Sequence, residues 1–256
     1  MKTLGRLIPV SFAFALLALV LAGAPAAATE DCSYSYEGAT GPEHWWEICP
    51  PANYVCKAGT RQSPIDLPTA PEGPLPRLAF KYRPTAFEVE NNGHTIEVKV
   101  APGSFLRIGQ ERYKLVQFHF HTPSEHKLQG QTYPMELHFV HRNALGELAV
   151  VGVFLREGAA NPVIQEIWDH ILDEAAPAVK HEEELNPKDL LPADRSYYRY
   201  AGSLTTPPCT EGVRWHVLDT PIEVSAAQIE EFRDLFPLNA RPVQPLNGRP
   251  VFKEDF

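Results

Sequence analysis

Alternation of apolar and polar side chains dominates the middle of the chain. Strand-like patterns run over 78–82, 87–90, 94–100, 105–108, 114–121, 136–142 and 148–155, and Asn91-Asn92-Gly93 marks a turn between two of them. The run from Leu148 to Leu155 is apolar on both faces, which places it near the centre of a sheet. The period then lengthens. Asn161-Pro162 supplies a cap and a first-turn proline, and Val163, Ile164, Ile167, Trp168, Ile171 and Leu172 form a helical stripe. Ser225 and Gln228 have capping-box spacing ahead of Ile229, Phe232 and Leu235, which predicts a second helix. Many strands and few helices predict one mixed, β-dominated (α+β) domain built on a large sheet with peripheral helices.

The two ends read differently. Lys2 and Arg6 precede an apolar run from Leu7 to Leu21 and the small residues Ala26-Ala27-Ala28, so residues 1–28 are expected to be a secretory signal peptide and 29–256 the folded domain. No second long apolar run and no hydrophobic tail follow, so no membrane anchor is expected. From Glu30 to about Pro76 the chain is rich in Pro, Gly, Cys and aromatics without a period, as in ordered irregular structure. Glu182-Glu183-Glu184 reads as solvated acidic surface.

Charge and cysteines narrow the function. The formal net charge is −9, and loss of Lys2 and Arg6 with a leader would make it more negative; this surface repels nucleic acid. Cys32, Cys49, Cys56 and Cys209 are an even set in an exported chain, none in a Cys-x-x-Cys pair, so two disulfides are expected, with three pairings open.

The candidate chemistry sits in Gln117-Phe118-His119-Phe120-His121 and Glu136-Leu137-His138. On a strand, Gln117, His119 and His121 share one face. A neighbouring strand carrying His138 would complete three corners of a tetrahedral zinc site. Gln117 and Glu136 each stand two residues before a candidate ligand, where an acceptor can hold the distal ring nitrogen of an imidazole. His141, three after His138, faces the other way; His44 and His126 are read as motif histidines without a ligand role, and His170, His181 and His216 as surface or structural.

Eight motifs in order now carry a family likeness: Gly41-Pro42-Glu43-His44-Trp45, Arg61-Gln62-Ser63-Pro64-Ile65-Asp66, Asn91-Asn92-Gly93-His94, the two histidine motifs above, Ser124-Glu125-His126, Gly202-Ser203-Leu204-Thr205-Thr206-Pro207-Pro208, and Arg241-Pro242-Val243-Gln244-Pro245-Leu246. Over nearly the whole of 29–256 the sequence resembles the α-class carbonic anhydrases. The resemblance implies a ten-stranded, mainly antiparallel twisted sheet with zinc (Zn2+) at the bottom of a cone-shaped cleft. It implies His119, His121 and His138 as ligands, with Gln117 orienting His119, Glu136 orienting His138, and a backbone carbonyl near Asn239 holding His121.

The implied reaction is hydration of carbon dioxide to bicarbonate by hydroxide generated at the zinc, with ester hydrolysis as a side activity. Thr205 and Glu125 would aim the hydroxide and Thr206 would contact bicarbonate. Val140, Val150, Leu204 and Trp215 would form the apolar slot. His94 matches the proton shuttle, an imidazole having the ordinary pKa for that task, and Tyr36 and Asn92 match residues that order its water chain. Glu97 stands in that network where many relatives carry a neutral polar residue. The resemblance further implies the disulfides Cys56–Cys209 and Cys32–Cys49, and a periplasmic or secreted enzyme. A related domain serving only as a binding module would typically lack a zinc histidine, whereas all three are present, and a zinc-storage protein would have no need of Thr205, Glu125 and the apolar slot.

Overall fold

A computed structural model describes residues 32–255; the expected signal peptide lies outside the described residues. In chain order the strands are β1 (Asp66–Leu67), β2 (Leu78–Lys81), β3 (Thr85–Asn91), β4 (Ile96–Val100), β5 (Phe105–Ile108), β6 (Glu111–His121), β7 (Lys127–Leu128), β8 (Met135–Arg142), β9 (Leu148–Glu157), β10 (Ala176–Leu185), β11 (Tyr197–Ser203), β12 (Glu211–Val224) and β13 (Phe252–Glu254). The helices are α1 (Val55–Ala58), α2 (Pro162–Trp168) and α3 (Ala226–Leu235).

Among the described residues eleven strands, one more than the ten that the resemblance implies, form one sheet in the order β10-β3-β4-β6-β8-β9-β12-β11-β13, with β5 pairing both β2 and β6; β1 and β7 form a separate parallel pair. All pairs in the large sheet are antiparallel except β9 with β12. The fold class is therefore the β-dominated one expected. Strand β9 is interior, with Ala149, Val150, Val151, Val153, Phe154 and Leu155 all buried between β8 and β12. Continuous apolar character is what a strand covered on both faces requires.

Both expected helices form, packed on this sheet. Asn161 Oδ1 accepts from the backbone N–H groups of Val163 and Ile164, and α2 buries Ile164, Ile167 and Trp168. Ile171 lies beyond its end, so the helix is shorter than its apolar stripe. The capping box of Ser225 and Gln228 closes both ways, and α3 buries Ile229 and Phe232. Trp168 Nε1 donates to the Gln228 carbonyl at 3.0 Å, tying the two helices together.

Besides the two-residue β1 and β7, four strands of the large sheet escaped the pattern. The exposed Glu182-Glu183-Glu184 lies on β10, an edge strand paired only with β3, where charge blocks further pairing. β11 is built on tyrosines, β12 carries Asp219-Thr220-Pro221 at a register shift, and β13 spans three residues. Local polarity masked each.

The disulfides are Cys32–Cys49 and Cys56–Cys209, with Cα atoms 5.4 and 5.0 Å apart. The second joins α1 to the loop after β11, next to cis Pro207–Pro208; Ser63–Pro64 is also cis. Among the described residues no helix is long and apolar enough to cross a membrane.

Two buried histidines on the far side of the sheet set an acid limit. Burial lowers the pKa of His141 to about 4, against the opposing pull of the Ala149 and Phe139 carbonyls. Burial, then Arg199, His141 and Arg214, lowers that of His216 to about 3. As pH falls below the ordinary histidine value, the unfolded chain takes up protons that the fold refuses, so stability is lost between about pH 6.5 and 4. Each group should cost about 2 kcal/mol by pH 5. Urea unfolding of wild type and His216→Gln at pH 7.5 and 5 should show the variant losing about 2 kcal/mol less over that interval; equal losses would remove His216 from this role.

Candidate metal centre and active site

Strand alternation and register build the centre. On β6, His119 and His121 share a face, and His119 lies directly opposite His138 of β8. One ligand atom from each of the three imidazoles lies within 4.8 Å of the others. Each ring is gripped on its other nitrogen: His119 Nδ1 pairs with Gln117 Oε1 at 2.8 Å, His121 Nδ1 with the Asn239 carbonyl at 2.7 Å, and His138 Nε2 with Glu136 Oε1 at 2.8 Å. Those bonds leave His119 Nε2, His121 Nε2 and His138 Nδ1 for a ligand.

Burial favours the neutral form of His119 and His121. Burial pushes His119 well below the usual imidazole range, and His121 and His138 push the same way against Glu136. His121 is also lowered by burial, against Glu125. His121 Nε2 is buried with no hydrogen-bond partner, as is Glu125 Oε2, which lies 3.6 Å from His121 Nε2 and 3.8 Å from His138 Nδ1. Orphaned buried polar atoms are costly. Three converging imidazole nitrogens with a carboxylate beside them suit a divalent cation, and zinc accepts such a set.

Glu125 is held on one side only. Its Oε1 accepts from the backbone N–H of Arg241 at 2.8 Å, and the Arg241 guanidinium donates to Gln62 Oε1, the Ser63 carbonyl and the Cys56 carbonyl. Thr205 is buried, but its hydroxyl makes no hydrogen bond to Glu125, whose free oxygen faces the imidazoles. Thr205 and Thr206 lie in the loop closed by Leu204 N–H to the Thr210 carbonyl and Cys209 N–H to the Thr206 carbonyl.

The four apolar candidates converge. Val140 and Val150 are opposite each other on β8 and β9, Val150 is opposite Trp215 on β12, and Val140 and Leu204 pack at the margin of the same buried cluster. Trp215 Nε1 donates to the Ser203 carbonyl at 2.9 Å, which fixes the indole beneath the Thr205 loop.

His94 is half-buried at the turn before β4, and burial lowers its pKa. Asn92 Oδ1 accepts from the His94 and Thr95 N–H groups, both at 3.0 Å, so its side chain shapes this turn. Asn239 Nδ2 donates to the His94 carbonyl at 3.0 Å and to the Phe120 carbonyl at 2.9 Å. One residue thus joins the His94 turn to the ligand strand. Tyr36 is half-buried, and its ring is 6.0 Å from that of Tyr34. Glu97 is directly opposite His119 and accepts from Gln117 Nε2 at 3.1 Å, so it meets the ligand side of the site. Burial raises its pKa, Lys99 opposes and Glu90 adds to the rise.

Several residues of the site were not singled out from sequence. His126, read as a motif histidine without a ligand role, donates its backbone N–H to Glu136 Oε2 at 2.8 Å and pairs through Nδ1 with Glu136 Oε1 at 2.7 Å. Its Nε2 meets the Tyr200 hydroxyl at 2.6 Å, which donates to Ser63 Oγ. His126, Glu136 and His138 also form a ligand-like group, but these bonds already account for it. Tyr34 stacks on His94 with ring centroids 3.9 Å apart and planes at 11°. Gly152 faces His138, and a Cβ there would lie 2.8 Å from Glu136 Oε1. A glycine inside an otherwise apolar strand was the available signal for such a close approach.

Known proteins are similar to this chain in sequence and fold. The family model for eukaryotic-type carbonic anhydrases matches residues 40–255. A carbonic anhydrase from Nostoc is 45% identical over 227 residues, covering 86% of each chain. One from Neisseria gonorrhoeae is 40% identical over 254 residues, covering 98% of each. The solved α-carbonic anhydrase of Thermovibrio ammonificans, in complex with sulfanilamide, superposes with a TM-score of 0.84 at 43% identity, covering 87% of this chain and 99% of that one.

Gly152 supplies a direct test of how the ligands are held. Gly152→Ala should push Glu136 off His138 and weaken zinc binding by about 10- to 100-fold, the usual effect of losing a ligand's outer hydrogen bond. Chelator competition measures this; unchanged affinity would show that Glu136 has room to move.

Proposed function

The chain belongs to the α-class, eukaryotic-type carbonic anhydrase family, and from that premise we propose that it hydrates carbon dioxide reversibly with zinc held by His119, His121 and His138. The observation that carries this reading is the set of three imidazoles, converging within 4.8 Å and each fixed through its outer nitrogen. Zinc on three neutral imidazoles keeps its full charge and supplies hydroxide near neutral pH, a property for which carbonic anhydrases are themselves the standard example.

The protein's own residues then divide the work. Val140, Val150, Leu204 and Trp215 provide an apolar surface suited to a small linear substrate without charge. With zinc bound, the Thr205 hydroxyl would accept the hydrogen of the attacking hydroxide and, by turning to Glu125, which it does not bond in this structure, would donate its own to Oε2, which has acceptor capacity to spare. This fixes the direction of attack. Thr206, half-buried at the edge of the same loop, contacts bicarbonate. Gln117, Glu136 and the Asn239 carbonyl keep the ligands aimed.

Each turnover also releases a proton, which must reach buffer. His94 takes it, at the end of a water path bordered by Tyr36, Asn92 and Glu97. The same nucleophile would hydrolyse activated esters. Two disulfides support export to the periplasm or outside the cell, with residues 1–28 as the leader.

Stopped-flow carbon dioxide hydration tests the reading. Stripping zinc should abolish activity and adding it back should restore it; ordinary turnover in metal-free protein would overturn the assignment. For the relay, His94→Ala should lower kcat about tenfold or more in weak buffer, leave kcat/KM nearly unchanged, and recover with added imidazole. Unchanged kcat in weak buffer would take His94 out of the path.

A further inference from the structure

A second group of metal-ligand side chains lies away from the catalytic centre. His170 follows α2, its N–H bonded to the Ile167 carbonyl, while His181 and Glu183 are on edge strand β10. One ligand atom from each lies within 4.8 Å of the other two. We propose that His170, His181 and Glu183 form a peripheral site for a divalent transition metal of the zinc type, pinning the edge of the sheet to the end of α2.

Local structure brings these residues together. His181 is in register with Phe87 of β3, and its ring stacks on the Phe87 ring with centroids 5.3 Å apart. Phe87 also backs His170 at 5.8 Å, so one buried aromatic positions both imidazoles. The two imidazoles stack on each other with centroids 3.8 Å apart. A register shift follows between His181 and Glu184, and bulges of this kind re-aim side chains. Glu183 lies within it. Glu166, one turn before His170 on α2, adds a carboxylate oxygen 3.5 Å from His170 Nε2.

The donor chemistry selects the ion. Two imidazolium rings at 3.8 Å would repel, whereas neutral rings offer lone pairs. Burial and His170 lower the pKa of His181, while Glu183 and Glu166 oppose the shift. His181 Nε2 is shielded from solvent and has no hydrogen-bond partner among the described residues. Two nitrogens with one or two carboxylate oxygens suit zinc and its neighbours; calcium and magnesium require mainly oxygen. The stacked imidazoles, whose planes are 28° apart, would have to tilt away from each other to aim both lone pairs at one ion at bonding distance, about 2.0–2.2 Å for zinc.

The reading is independent of the catalytic one, and zinc alone serves as the probe. Untagged, metal-stripped protein should bind two equivalents by calorimetric titration and metal analysis. His119→Gln should lose the first equivalent and keep the second. His170→Gln and His181→Gln should each weaken the second at least tenfold while retaining wild-type carbon dioxide hydration, which also shows that they are folded. The melting temperature of wild type already loaded with one equivalent should rise with further zinc, and that rise should vanish in His181→Gln. A single equivalent in wild type at about 100 μM free zinc, as for a site of lower than micromolar-class affinity, would overturn the proposal. So would a second equivalent that survives both substitutions, or one that calcium displaces.

Discussion

The structure depends on a buried carboxylate. Glu136 has no solvent exposure and stands on β8 in the middle of the sheet. Burial alone would raise its pKa, yet His126 and His138 outweigh burial and hold it well below the usual carboxylate range. An ionised group in that position is tolerated only when its lone pairs are filled. The His126 backbone, the His126 ring and the His138 ring do this together. Gly152 leaves the space, since a side chain on β9 at that point would meet Glu136 Oε1.

The carboxylate thereby links parts of the chain that share no strand. From His138 the bonds run through Glu136 to His126, then to the Tyr200 hydroxyl and Ser63 Oγ, which accepts the Ser203 N–H at 3.0 Å. Ser203 ends β11 and precedes the Leu204-Thr205-Thr206 loop. The ligand end and the loop end of the site are held by one connected polar network. Such networks act as a unit, so a change at Tyr200 or Ser63 acts on ligand geometry without touching a ligand.

What was legible in the sequence follows from the range over which each signal acts. Period-2 spacing placed His119 and His121 on one face, and doubly apolar Leu148–Leu155 marked a central strand, because both are local rules. Asn161 and the Ser225–Gln228 pair announced their helices for the same reason. Register was not local: only the pairing of β6 with β8 sets His119 opposite His138. The partners of Glu125 and His126 depend on Arg241 and Tyr200, 116 and 74 residues away in sequence. The family resemblance supplied Glu125 and Thr205, which periodicity alone could not single out. Tyr34 went unmarked because the irregular segment around it carries no period, and its stack on His94 exists only once that segment is laid over the turn before β4.

The His94 turn shows how a fixed backbone coexists with a movable side chain. Asn92 and Asn239 hold the backbone through four hydrogen-bonded groups, the His94 N–H, the Thr95 N–H, the His94 carbonyl and, across on β6, the Phe120 carbonyl. The imidazole itself is held by stacking on Tyr34. A ring pair of this kind contributes about 0.5–1.5 kcal/mol beyond its buried area, and half-exposed rings change rotamer in picoseconds to nanoseconds. In the proposed relay, the proton carrier must face the cleft to load and solvent to unload. A stack of that strength biases His94 towards one position without trapping it, while the anchored turn keeps the distance to the ligand strand constant. Asn239 couples the two requirements, because the residue whose side chain fixes this turn is the one whose carbonyl orients His121.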